Sequence, residues 1–408
     1  MAASGLPYII DRGCGLDVHK ETVVASIKGT DIREETKTFL TYTSDLEDLV
    51  CWLQSHHIDH IAMESTGVYW RPVYSVLEDY FKIILVNARH IKNVPGQKTD
   101  KKDSQWIAKL LLSGLLKGSF VPPEHIRELR ELHRHRRKLI GMRTAEKNRL
   151  QNILEAANIK IGSVISDVFG ISGSLIIQAI AQGESNPIAL ADLAKGSLRG
   201  KKDLLIKALR GKITAHHCFM LRLILQSIKH INQQIAQLEA QMENYQSLMK
   251  QHMQHLQTIP GVSAQIATGI LAEIGSDMSC FHSHDHLASW AGVSPGNNES
   301  AGKRYSGKTS PGNKYLKTTL VEAAWAATRS KANPLMAVTH RRIALRRGPK
   351  KATMAIAHKI LTAAFFVIRD GIPYKPGIRD SATLETIRNK KIERLEKQLS
   401  NLRNTSYN

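Results

Sequence analysis

Apolar positions in the first 120 residues alternate between short β-branched runs and stretches of helical spacing. Beyond that point they recur at helical spacing. Residues 13–18, 22–27 and 32–39 read as strands, with Gly29-Thr30-Asp31 as turn material between the last two. A helix follows from about Ser44, whose hydroxyl can cap it, to about Leu53. Residues 58–64 and 82–86 have the look of buried strands, with a helix over roughly 68–80 between them. Three strands, a helix, a strand, a helix and a strand predict a mixed α/β sheet. A further helix opens at Thr99, runs to about Leu112 and stops near Gly114.

From Pro122-Pro123 the pattern becomes helical. Across residues 125–157, Leu129, Leu132, Leu139, Leu150 and Leu154 are interleaved with Arg and Lys. Residues 160–212 read as a small helical insert of short amphipathic pieces. From Leu221 through Ile224, Ile228, Ile231, Ile235, Leu238, Met242 and Tyr245 to Met249, apolar residues step by three and four. That heptad seam predicts an extended helix that pairs with another, as a coiled coil or within its own chain, because heptads do not identify the partner. The expected division is an α/β domain at 1–120, a helical connector at 121–257, a mainly helical domain at 258–376 and a charged helical tail at 377–408. The tail carries Ile392, Leu395, Leu399 and Leu402 at helical spacing.

Charge narrows the partners. A formal net charge of +21 over 408 residues points to a polyanion, DNA or RNA, with a membrane surface as the rival. No apolar run approaches the length of a membrane span, and the N-terminus lacks the basic-then-apolar pattern of a signal peptide. Four scattered cysteines form no disulfide framework and suit a reducing cytoplasm, so the expected location is cytoplasmic.

Against that basic background, four acids stand in contexts that could carry chemistry. Asp17 lies inside a β-branched run, Glu64 ends the run Ile61-Ala62-Met63-Glu64, and Asp100 and Asp103 form an Asp-x-x-Asp pair. Acids at strand ends and a pair sharing one helix face could converge on Mg²⁺ (or Mn²⁺), a hard cation that needs few protein oxygens. Two such ions can neutralise and align a reacting phosphodiester. The competing reading of the pair is first-turn capping behind Thr99. A second cluster, Cys280, His282, His284 and His286, resembles a metal site but has no second ligand pair at zinc spacing. It reads instead as the lead-in to a helix capped by Ser283 or Asp285.

Thr258-Ile259-Pro260-Gly261-Val262-Ser263, followed by an apolar helix, reads as a helix-hairpin-helix element whose N–H groups could hold a phosphate, or as a plain structural turn. After a helix ending at Gly292 comes a Gly/Asn/Ser loop with Ser294, Ser300 and Ser306, and with Lys303, Arg304, Lys308 and Lys314 as phosphate-contact candidates. Residues 331–369 carry nine Lys or Arg and no acid, centred on Arg341, Arg342, Arg346, Arg347, Lys350 and Lys351. So one-sided a run favours phosphate contact, and its binding should weaken steeply with salt. Arg130, Arg134, Arg136, Arg137 and Lys138 add cations on the connector that could grip DNA or structured RNA.

Three blocks, GLDVHK at 15–20, MESTGVYW at 63–70 and KTDKKDSQWIAKL at 98–110, resemble those of the DEDD-type transposases of the insertion-sequence-110 family, relatives of the Piv-type DNA invertases. Two later blocks, IPGVSAQIATGILAEIG and WAGVSPGNNES, followed by a basic loop and GNKYLK, are similar to that family's second region. The resemblance implies a RuvC-like N-terminal domain, with Asp17, Glu64, Asp100 and Asp103 as its metal-binding acids. It further implies that Ser300 attacks DNA phosphorus, leaving a phosphoserine link to the 5′ side and a free 3′-OH. A structured non-coding guide RNA, donor and target DNA, a dimer or tetramer, and a composite site between protomers also belong to what it implies. The alternative is a RuvC-type junction endonuclease in which water attacks and Ser300 only binds phosphate.

Overall fold

The structure, a computed structural model, describes residues 8–65, 67–87, 103–296, 298–300, 303–309, 311–330 and 334–376, with short pieces of the tail between 385 and 399; at 298–300 and 303–306 it describes the backbone alone. The chain folds as two compact units, Met1–Val121 and Pro122–Asn408.

The first unit is a five-stranded mixed sheet in the order β3-β2-β1-β4-β5. β1 (Arg12–Val18), β2 (Thr22–Gly29) and β3 (Glu35–Leu40) form an antiparallel meander, while β4 (His60–Glu64) and β5 (Lys82–Val86) run parallel to β1. The parallel steps need crossovers, supplied by α1 (Thr43–Ser55) and α2 (Trp70–Leu77). Period-2 alternation then assigns the faces. Cys14, Leu16 and Val18 pack with Leu46, Leu49 and Leu53 of α1 and Val73 and Leu77 of α2. The other face is covered by α3 (Asp103–Leu112), whose Ile107, Leu110 and Leu111 meet Ala62 and Val86. β3, at the edge, leaves Glu35 through Thr38 exposed, polar side chains that discourage further pairing. One local expectation is corrected: Ser44 does not cap α1. The helix starts one residue earlier behind Tyr42 with no side-chain cap bond, and the Ser44 hydroxyl faces Asp45.

The second unit is built on two long helices, α4 (Glu124–Ala156) and α8 (Ala215–Leu248). They run antiparallel, since Glu128 meets Tyr245, Arg136 meets Glu239, and Leu139 packs on Ile231 and Ile235. Leu150 and Leu154 share a core with Leu221, Ile224 and Ile228. The heptad seam is therefore covered by α4 of the same chain and is not left open for a second one.

At the far end of this hairpin sit α5 (Ile171–Ala181), α6 (Pro187–Asp192) and α7 (Lys202–Ala208), around a core continuous with the hairpin's own. The other end carries α9 (Lys250–Gln257), α10 (Ala264–Ile274), α11 (His284–Trp290), α12 (Lys314–Arg329), α13 (Leu335–Arg347) and α14 (Pro349–Asp370). The last of these corrects the expectation that no apolar stretch reaches membrane-spanning length, because its 22 residues pass by length and composition. Its Ile356, Ile360, Leu361, Ala364 and Phe365 are buried within the unit, as in the core helix of a folded domain.

Candidate active site

Gly13, Gly15 and Asp17 share the face of β1 that meets α3. A Cβ on Gly15 would lie 2.1 Å from the Ser104 carbonyl oxygen and 2.4 Å from the Ala108 nitrogen, so only glycine lets the helix come this close. The buried Ser104 hydroxyl, 2.8 Å from that of Ser26 on β2, ties the same turn of α3 to the sheet. Asp103, the residue before Ser104, is thereby held beside Asp17, two places along the strand from Gly15. From the other side, Leu16 pairs with Met63 in the parallel ladder, which sets Glu64 next to Asp17 at the same strand ends.

Electrostatics report this convergence. The Asp17 carboxyl titrates above its ordinary range, first because it is partly withdrawn from water and then because Asp103 and Glu64 repel its charge. His19 opposes the shift, its Nε2 lying 3.2 Å from Asp17 Oδ2, a contact that sequence spacing did not single out. Three of the four expected acids thus meet, while Asp100 lies outside the described residues. Among the described residues no group of three or more His, Cys, Asp or Glu side chains is arranged to hold a metal ion. The donor type nevertheless fits a hard divalent cation, which takes carboxylate oxygens and needs few of them from the protein.

In the second unit, Ser300 ends β6 (Asn298–Ser300) and pairs with Lys303 at the start of β7 (Lys303–Ser306), so the backbone places it at the tip of a β-hairpin. The base of this hairpin is fixed. Pro295 bridges to Thr309, Gly296 N–H donates to Lys308 O (3.1 Å), and Asn313 N–H donates to Trp290 O (3.2 Å). Ser294 belongs to the end of α11, its N–H reaching Ala288 O, and Ser306 pairs with Asn298. Ser283 caps α11 by accepting from His286 N–H, the structural part expected within the His-rich segment. At the Pro260-Gly261 turn, a Cβ on Gly261 (φ +85°) would lie 2.3 Å from Ala323 O of α12. The turn is packed into its own unit.

Asn313 leads to a feature the sequence did not reveal. Its side-chain carbonyl accepts from Tyr315 and Leu316 N–H to cap α12, and its amide donates to Glu273 Oε2 (2.6 Å). Glu273 is wholly buried and accepts two parallel bonds from Arg134 (2.8 and 2.7 Å), while Arg130 bonds to the Ala272 and Glu273 carbonyls. Beside them, burial pushes His133 down to about 4. The available signal was a lone acid in an apolar helix opposite an Arg-x-x-x-Arg pair.

This changes the reading of three cations expected to bind nucleic acid. Arg134 is held by Glu273, Arg136 by Glu239 and Arg137 by Glu322, so they close the unit together. Arg341, Arg342, Arg346 and Arg347 of α13 and Lys350 and Lys351 of α14 are exposed, as are Lys308 and Lys314. Among the described residues no acid pairs with these six α13 and α14 cations, whereas Arg369 near the end of α14 pairs with Asp370. The side chains of Lys303 and Arg304 lie outside the described set.

Comparison with known proteins finds matches in both units. A transposase family profile matches residues 14–159, and that of the "Transposase IS116/IS110/IS902 family" matches residues 253–340. The chain belongs to this family of transposases. Among its relatives is the pilin gene-inverting protein of Moraxella bovis, 23% identical over 390 residues that cover 90% of this chain and 98% of the relative. The protein of the same name from Moraxella lacunata matches to the same extent. A probable family 20 transposase of Pseudomonas aeruginosa is 23% identical over 323 residues, covering 78% of this chain and 86% of that protein.

Proposed function

We propose that this chain is a bacterial insertion-sequence recombinase that cuts and rejoins DNA through a phosphoserine intermediate, with a structured non-coding RNA as its guide. The observation that carries the reading is the meeting of Asp17, Glu64 and Asp103 in a member of a transposase family, where burial first and the two like charges next raise the Asp17 pKa. Together with Asp100, these carboxylates would hold Mg²⁺ or Mn²⁺. Such an ion, when bound, stabilises charge on the phosphate oxygens and lowers the pKa of a bound hydroxyl.

Ser300 Oγ attacks phosphorus, its proton passing to a nearby base. The P–O3′ bond breaks, the 5′ phosphate stays on the serine and the 3′-OH leaves. Attack by a 3′-OH of the exchanged strand reverses the step and frees the serine. Lys303, Arg304, Lys308 and Lys314 would steady phosphates near the hairpin, and the α13 and α14 cations would follow the DNA backbone. The working unit is a dimer or tetramer. With the α8 seam already covered by α4, other surfaces would make that assembly.

The test uses protein isolated from cells that carry the gene with its natural flanking DNA. After digestion with protease and nuclease, mass spectrometry should find a nucleotide adduct on the Ser300 peptide, absent in Asp17→Ala. Cut DNA without an adduct would instead support the water-using junction endonuclease.

A further inference from the structure

We infer that the insert between α4 and α8 is a second DNA-binding surface, a groove that grips the phosphodiester backbone of duplex DNA regardless of sequence. The family profiles end at residue 159 and resume at residue 253, so neither accounts for it. Between residues 195 and 212 the chain carries seven Lys or Arg against the single acid Asp203. The structure gathers part of this charge around a cavity of about 400 Å³, walled by Lys160, Ser163, Lys201, Leu204 and Lys207. Its walls are held in place. Lys160 N–H donates to Ala208 O (2.8 Å), Lys212 N–H donates to Ala157 O (2.9 Å), and Leu205 and Leu209 anchor α7 in the core beneath.

Two of the three cations are unspent. Lys160 pairs with Glu155, whereas Lys201 and Lys207 are exposed with no acid against them among the described residues. The Ser163 hydroxyl is spent on the Lys160 carbonyl (2.7 Å), but two free ammonium groups at a concave surface suit phosphate oxygens, which fix position and carry no sequence information. No aromatic side chain lines the groove, so it offers no platform for stacking unpaired bases and is not built for single strands. The choice of DNA as the duplex rests on the recombinase reading. The groove itself does not.

The experiment measures binding alone, by fluorescence anisotropy with the full-length protein and duplexes of unrelated sequence, between about 50 and 200 mM salt. Lys201→Gln/Lys207→Gln should flatten the slope of log affinity against log salt by about 2 units, equally for every DNA duplex. Lys201→Arg/Lys207→Arg should bind as the wild type does. Neutralising two exposed lysines of the same unit outside the groove, Lys229→Gln/Lys250→Gln, should leave the slope nearly unchanged. A slope unaltered by the groove variant would overturn the inference, as would equal loss in the control pair or loss confined to duplex RNA. Unfolding of the Gln variant, seen by circular dichroism, is guarded against by the Arg variant together with single substitutions. Binding is read without divalent metal and the serine adduct in a separate assay, so failure of the cleavage reading and failure of the groove register in different assays.

Discussion

Asp17 and Glu273 are both carboxylates withdrawn from water, and the two units surround them in opposite ways. Glu273, fully buried, is met by Arg134 and Asn313 at hydrogen-bond distance and by Arg130 close by. Asp17 has His19 at one side but also keeps company with Glu64 and Asp103, and its pKa rises, first through burial and then through those like charges, against the pull of His19. A paired buried charge holds structure together, and removing a partner leaves the rest stranded. A cluster of like charges is a standing cost, retained where something positive arrives to relieve it. Burial alone does not separate structural from functional acids, but the sign of the neighbours does.

The sharpest break in that comparison is Asp17→Asn. It should reduce recombination of a flanked substrate by at least about a thousandfold, the scale of several kcal/mol of lost transition-state stabilisation. It should also raise the melting temperature of the metal-free protein. The sign follows from linkage: a carboxyl whose folded pKa is raised stabilises the fold at low pH and loses that contribution as pH rises through the folded pKa. At neutral pH the charged Asp17 is therefore a burden that Asn removes. Glu273→Ala should do the reverse, costing about 3–5 kcal/mol in urea unfolding by leaving Arg130 and Arg134 uncompensated. Equal stability changes in the two variants would erase the distinction.

Next in size is an acid effect confined to the second unit. His133 is neutral when folded, with a pKa lowered to about 4 from 6.5. The unfolded chain takes up that proton first, so stability falls as pH drops from about 6.5 to about 4, by roughly 3 kcal/mol. His133→Gln should flatten this part of the stability profile. Gly15→Ala should cost about 1–3 kcal/mol by forcing α3 off β1, and should blunt the pKa rise at Asp17 by moving Asp103 away. Smallest of all, Mg²⁺ at about ten times its dissociation constant should stabilise the wild type by about 1.4 kcal/mol and leave Asp17→Asn unmoved in a thermal scan.

Much of the first unit was legible because its signals are local. Period-2 alternation in β1 decides which residues face which layer, and short apolar runs between helices imply parallel strands. The juxtaposition of Asp17, Glu64 and Asp103 follows from strand order and from Gly15, whose need for close approach is invisible until α3 is in place. The second unit was less legible because its decisive contacts join residues far apart in the chain. Arg134 reads as a surface cation until Glu273 is brought to it across 139 residues. The α8 seam announced a partner without naming it, since α4 of the same chain and a second molecule satisfy identical spacing. Ser300 was placed by resemblance, and the strand pairing adds that it stands at a turn.

The paired helices also set a length scale. At 1.5 Å per residue, the 33 residues of α4 make a rod about 50 Å long, with the lysine groove near one end and the arginine-rich helices at the other. A duplex turns once in about 35 Å, so a straight segment touching both ends would travel roughly one and a half turns between contacts. The rod is then a spacer. Lengthening α4 and α8 together by whole heptads would change the span of duplex they bracket while leaving either grip intact.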